Sequence, residues 1–79
     1  MGLAKNEAEL AGRMSAYLKA EIAKAEVTYE ELAKRMKKHG FQETKASVTN
    51  KLARGTFPAT FFLGVLAALE LPSVQLEDV

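Results

Sequence analysis

The residue types that carry most enzyme and metal chemistry are thinly spread in this chain. His39 is the only histidine and no cysteine is present, so a zinc site has no second nitrogen or sulfur ligand to complete it. Glu30 and Glu31 are neighbours, and on a helix they point about 100° apart, which does not make a carboxylate pair for acid–base work. Ser15, Ser47 and Ser73 stand in no pattern that supplies a general base, and no glycine-rich phosphate loop occurs. The chain is therefore not expected to be an enzyme, and no metal or cofactor is expected. His39 reads as a solvated residue or one lying beside a phosphate.

Binding chemistry is better represented. From Lys34 to Arg54 there are seven basic residues (Lys34, Arg35, Lys37, Lys38, Lys45, Lys51 and Arg54) against Glu43 alone, a local net charge of +6. The remainder carries 4 of the 11 basic and 9 of the 10 acidic residues, so it sits at −5 and the whole chain at +1. Segregation of this kind suits a protein that neutralises phosphates with one face, whereas an evenly solvated surface mixes its charges.

The stretch Thr44 to Arg54 sharpens that reading. On a helical wheel Val48 and Leu52 define its inner side, and the opposite arc carries Ala46, Ser47, Asn50, Ala53 and Arg54, flanked by Thr49 and Lys51, with Lys45 nearer the inner face. A helix entering a major groove needs such an arc. Small residues permit close approach, Asn and Ser can bond base edges, and Arg and Lys reach guanine or phosphate. An ordinary exposed helix mixes Glu with Lys, as the preceding one does with Glu30, Glu31, Lys34 and Arg35.

The elements that must position these residues read as helices almost throughout. Leu10, Met14, Tyr17, Leu18 and Ile22 recur at three- and four-residue steps from about Asn6 to Ala25, one apolar stripe. Thr28 caps a second helix, with Glu31 completing a capping box and Leu32, Ala33 and Met36 facing inward. Gly40 ends it at about His39 in a left-handed conformation, with Phe41 folding back on Met36. Thr44 opens the third helix and Gly55 closes it. Phe57 to Leu69 is the most apolar helix, opened by Pro58 and ended before Pro72, and Ser73 is the predicted cap of a final turn. No alternating run or Asn-Gly hairpin signal predicts a strand.

With 79 residues, 48% of them hydrophobic and 27% charged, one globular domain spanning 1–79 is expected, held by packing alone. Its predicted parts are an N-terminal extension over 1–14, a two-helix unit over 28–55 and a core helix over 57–70. The start of the chain has charges where a secretory signal needs an apolar run, and Phe57 to Leu69 is shorter than the roughly 20 residues a membrane span requires. A cytoplasmic protein without membrane attachment is the expectation.

The order Thr28-Tyr-Glu-Glu-Leu-Ala33, a glycine turn, a helix ending Leu52-Ala-Arg-Gly55, and then Leu63-Gly-Val-Leu-Ala-Ala-Leu69 resembles the Cro/C1-type (lambda-repressor-like) helix-turn-helix superfamily of bacterial and phage regulators. Within it the chain is most similar to a group of small bacterial proteins known only as a domain of unknown function. That likeness rests on Val27-Thr-Tyr-Glu-Glu-Leu32, Glu43-Thr44, Asn50-Lys51-Leu52, Arg54-Gly55, Phe61-Phe62-Leu63 and Leu66-Ala67-Ala68. It covers about residues 15 to 79.

The resemblance implies an all-α, compact four- or five-helix bundle with a helix-turn-helix of the Cro/C1 type. In it residues 28–39 lie across the nucleic-acid backbone and residues 44–54 form the recognition helix. By position Lys45, Ser47, Asn50 and Lys51 resemble base-facing or groove-edge residues, and Arg54 and Thr56 resemble phosphate contacts. This chain departs from the superfamily in a turn about six residues longer than usual and in Glu70, which stands where glycine is usual.

The function expected is sequence-specific binding of double-stranded DNA by a small bacterial or phage transcriptional regulator, with Lys37 and Lys38 also on phosphates. The alternative is a protein-interaction module whose basic face docks an acidic partner. RNA fits less well, because no exposed aromatic platform for stacking bases is evident. A homodimer is possible, since one recognition helix reads few base pairs, and Leu3, Leu10 and Met14 could either form its interface or cover the core.

Overall fold

The first three helices each begin where a short polar side chain satisfies a free backbone N–H group. In the computed structural model, which describes residues 4–79, Asn6 caps α1 (Glu7–Lys24), its Oδ1 accepting from the Glu9 N–H at 2.8 Å. Thr28 caps α2 (Tyr29–Lys37), accepting from the Glu31 N–H at 3.0 Å. The Glu31 carboxylate, expected to complete a capping box, instead accepts from Arg35 Nε at 3.3 Å one turn on. Thr44 caps α3 (Lys45–Arg54), and here the reciprocal box is complete, with Ser47 as the third residue of the helix. Pro58 precedes α4 (Ala59–Ala68).

The helix ends share one device. After α2, Gly40 at φ 86° gives its N–H to Lys37 O while Phe41 N–H reaches Met36 O at 3.2 Å, the paired closure that a left-handed residue permits. α2 itself ends at Lys37, short of His39, and turns carry the chain to Gly40. The same closure follows α1 at Glu26 (φ 56°) and α4 at Glu70 (φ 59°), so two glutamates hold conformations that favour glycine. A 3-10 turn, Leu76–Asp78, follows Gln75; Ser73 does not cap it.

The described residues are thus all-helical, with four α-helices and no strand. α2 packs on both α3 and α4, and α1 packs on α3. The core joins Leu18 and Ile22 of α1, Leu32 and Met36 of α2, Val48 and Leu52 of α3, and Phe61 and Val65 of α4, each buried. Burial of such a side chain contributes about 1.5–3 kcal/mol, so each of these residues matters to the stability of a fold this small. Leu10, placed on the apolar stripe, is instead half in solvent, and Met14 is only partly covered. Leu3 and the start of the predicted 1–14 extension lie outside the described residues.

Two contacts fix where α3 stands. The buried Ser15 hydroxyl on α1 donates to the Leu52 carbonyl in the last turn of α3. Gly55 closes that turn at φ 79° beneath α1, where an added Cβ would lie 3.7 Å from Ala11 O. Behind the helices the chain end returns to α1, and Arg13 Nε donates to the Val79 carbonyl at 2.9 Å. No helix among the described residues is long and apolar enough to cross a membrane.

Candidate nucleic-acid interface

The surface that α3 presents is decided by a residue just before it. Glu43, Ser47 and Lys51 are spaced by four, which places them in one row along the helix edge. Glu43 is buried; its Oε1 accepts from Ser47 Oγ at 2.6 Å and its Oε2 from Lys51 Nζ at 2.6 Å. The Lys51 ammonium also lies 5.0 Å from the centre of the Phe61 ring. Burial alone raises the Glu43 carboxyl, but the hydrogen bonds from Lys51 and Ser47 and the charge of Lys51 outweigh it and hold it below the usual carboxylate range.

Ser47 and Lys51 are therefore engaged within the fold. Ser47 Oγ also accepts from the Thr44 N–H at 2.8 Å, closing the capping box. A wheel sets Ser47 on the outer arc and Lys51 on its flank because it treats α3 as isolated. The acceptor that draws them inward sits outside the helix, and its spacing of four residues to Ser47 and eight to Lys51 was the available signal.

The other predicted residues remain outside. Lys45, Thr49, Asn50, Arg54 and Thr56 are exposed, as are Ala46 and Ala53 between them, and Lys37 and Lys38 at the end of α2. Lys45 is exposed although the wheel sets it nearer the inner face, because it opens the helix. Thr49 Oγ1 donates to the Lys45 carbonyl at 2.8 Å, which orients its methyl and hydroxyl on the helix surface. Arg54 Nε donates to the Thr56 carbonyl at 2.9 Å, so the guanidinium is tethered over the end of α3. His39 is also exposed, and no cluster of metal-binding side chains occurs among the described residues.

The connection between α2 and α3, residues 38–44, is held at two points. Gly40 turns it, and the Phe41 ring sits against Gly64 of α4 so closely that a Cβ there would fall 2.4 Å from Cζ. Buried Glu43 anchors the far end. Phe41 and Glu43 thus tie this connection to α4 and to α3.

The profile of a family described as a domain of unknown function (DUF6471) matches residues 10–74. The chain belongs to that family. The span shared with DUF6471 starts on α1, covers α2, α3 and α4, and includes every residue of the predicted interface. It also contains Gly64, Phe41 and Glu43, which hold the connection into α3. No curated protein and no solved structure matches the chain, so the reading of this DUF6471 surface rests on its own chemistry.

Proposed function

We propose that this protein is a small cytoplasmic DNA-binding regulator of bacterial or phage type, with α2 and α3 acting as a helix-turn-helix of the Cro/C1 kind. In this reading α3 enters the major groove of a duplex. Asn50 and Thr49 address base edges, Ala46 and Ala53 allow close approach, and Lys45, Arg54 and Thr56 meet the groove edge and phosphates. Lys37 and Lys38 hold the backbone from the end of α2.

One observation carries the reading. Glu43, the only acidic residue between Lys34 and Arg54, is buried and neutralised by Lys51, so the exposed side of α3 carries cations and small polar groups with no carboxylate among them. A phosphate-lined groove accepts that surface, and a carboxylate in it would oppose entry. The engagement of Ser47 and Lys51 moves the weight of base recognition to Asn50 and Thr49. A homodimer binding a palindromic site would extend the few base pairs one helix can read.

Duplex binding against salt tests this directly. Affinity should fall steeply as salt rises, and replacing Lys37 or Lys38 by Ala should shallow the log–log slope by about 0.9 each. No duplex binding at low salt, combined with capture of an acidic protein surface, favours the docking module instead.

A further inference from the structure

The basic surface of α3 does not end at Arg54. Between α1 and the carboxyl-terminal end of α3 runs a groove walled by Ala8, Gly12 and Ala16 on one side and by Thr56 on the other, with Lys19 and Arg54 on its margins. The α1 residues follow steps of four, four and three, so they share one helix face. None of the described residues lining this groove is acidic. Two of the three carboxylates of α1 are engaged elsewhere, Glu9 accepting from the Lys5 N–H and pairing with Arg13 and Glu21 pairing with Lys24, and Glu7 stands in the first turn, outside the groove lining. A helix that places a lysine and only small side chains on one face, next to a tethered arginine, presents an open channel with two cations and no opposing charge.

We propose that this groove takes the phosphodiester backbone of the duplex that α3 enters, with Lys19 as a phosphate contact beside Arg54. This rests on the reading of α3 given above. The tether from Arg54 Nε to the Thr56 carbonyl leaves the Nη edge of the guanidinium for an anion, and exposed Lys19 supplies a second charge across the small-residue face. Backbone contact here adds affinity without base selectivity, which belongs to α3. Gly12 matters because it leaves the channel open: a Cβ added there meets nothing within 4 Å, so a larger side chain fills the groove without disturbing the fold.

The test compares duplex affinity of the full chain, across a salt series, with that of Lys19→Ala, Gly12→Glu and the control Lys24→Ala, whose cation lies on another face of α1. The expected result for Lys19→Ala is a slope shallower by about 0.9 and an affinity about five-fold lower at physiological salt. Gly12→Glu should lose more than Lys19→Ala while keeping the wild-type melting transition, and Lys24→Ala should keep the wild-type slope. If the unmodified chain binds duplex but Lys19→Ala retains the wild-type slope, the inference is overturned and the reading of α3 stands. If the unmodified chain binds no duplex, both fall together.

Discussion

Lys51 Nζ lies 2.6 Å from Oε2 of buried Glu43, and that ion pair removes the only carboxylate of the basic segment from its surface. Loss of the pair should be felt in stability. Glu43→Gln breaks a charge-assisted, largely buried contact and is expected to cost about 1–3 kcal/mol, measured by denaturant unfolding. Because the Glu43 carboxyl is held below its usual range, its contribution is present above the ordinary carboxylate pKa and is lost as pH falls through the depressed folded value. The gap between wild type and Glu43→Gln should therefore be full at neutral pH and close in acid.

Lys51 and Lys38 should separate in function although both are lysines of the basic segment. Lys51→Ala strips Glu43 of its partner and is expected to lower stability by about 1–3 kcal/mol with little effect on the salt slope of duplex binding. Lys38→Ala should do the reverse, leaving the melt unchanged and the slope shallower. Parallel melts and titrations of the two variants check this.

Glu26 and Glu70 hold φ of 56° and 59°, a region that costs a residue with a Cβ about 1–2 kcal/mol. Glycine at either position relieves that cost and gives back part of it as unfolded-chain entropy. Glu70→Gly and Glu26→Gly are each expected to stabilise the fold by about 0.5–1 kcal/mol. The two sites lie on different helix ends, so the gains should add in the double variant.

Gly64 and Phe41 should behave as one unit. Gly64→Ala sets a Cβ 2.4 Å from the Phe41 ring and is expected to destabilise by about 1–3 kcal/mol through overpacking. In a Phe41→Leu background the same change should cost clearly less, and a double-mutant cycle measures the coupling. Because this contact holds the α2–α3 connection against α4, Gly64→Ala should also weaken duplex binding beyond what its loss of stability explains.

The elements were legible because their signals are local. Asn6, Thr28 and Thr44 cap the helices they precede, Gly40 and Gly55 end them, and Val48 and Leu52 turn inward as their four-residue spacing requires. The family was legible too, through motifs spread over most of the chain. What the wheel of α3 could not show was the inward turn of Ser47 and Lys51, because their acceptor Glu43 lies outside the helix. The stripe on α1 misled at Leu10, since periodicity places a residue on a face but not against a neighbour. Left-handed Glu26 escaped for a similar reason: the closing hydrogen bonds select the conformation, and glutamate carries no sequence mark for it, whereas Glu70 was marked only by standing where glycine is usual in the superfamily it resembles.

Whether α3 reads a duplex is decided by a selection of bound sequences from a pool of random duplexes, carried out with wild type and Asn50→Ala. The predicted result is a short enriched motif, repeated as a palindrome if the protein binds as a dimer, that degrades in Asn50→Ala while low-salt, unselective binding persists. Recovery of an unenriched pool with wild type would contradict it.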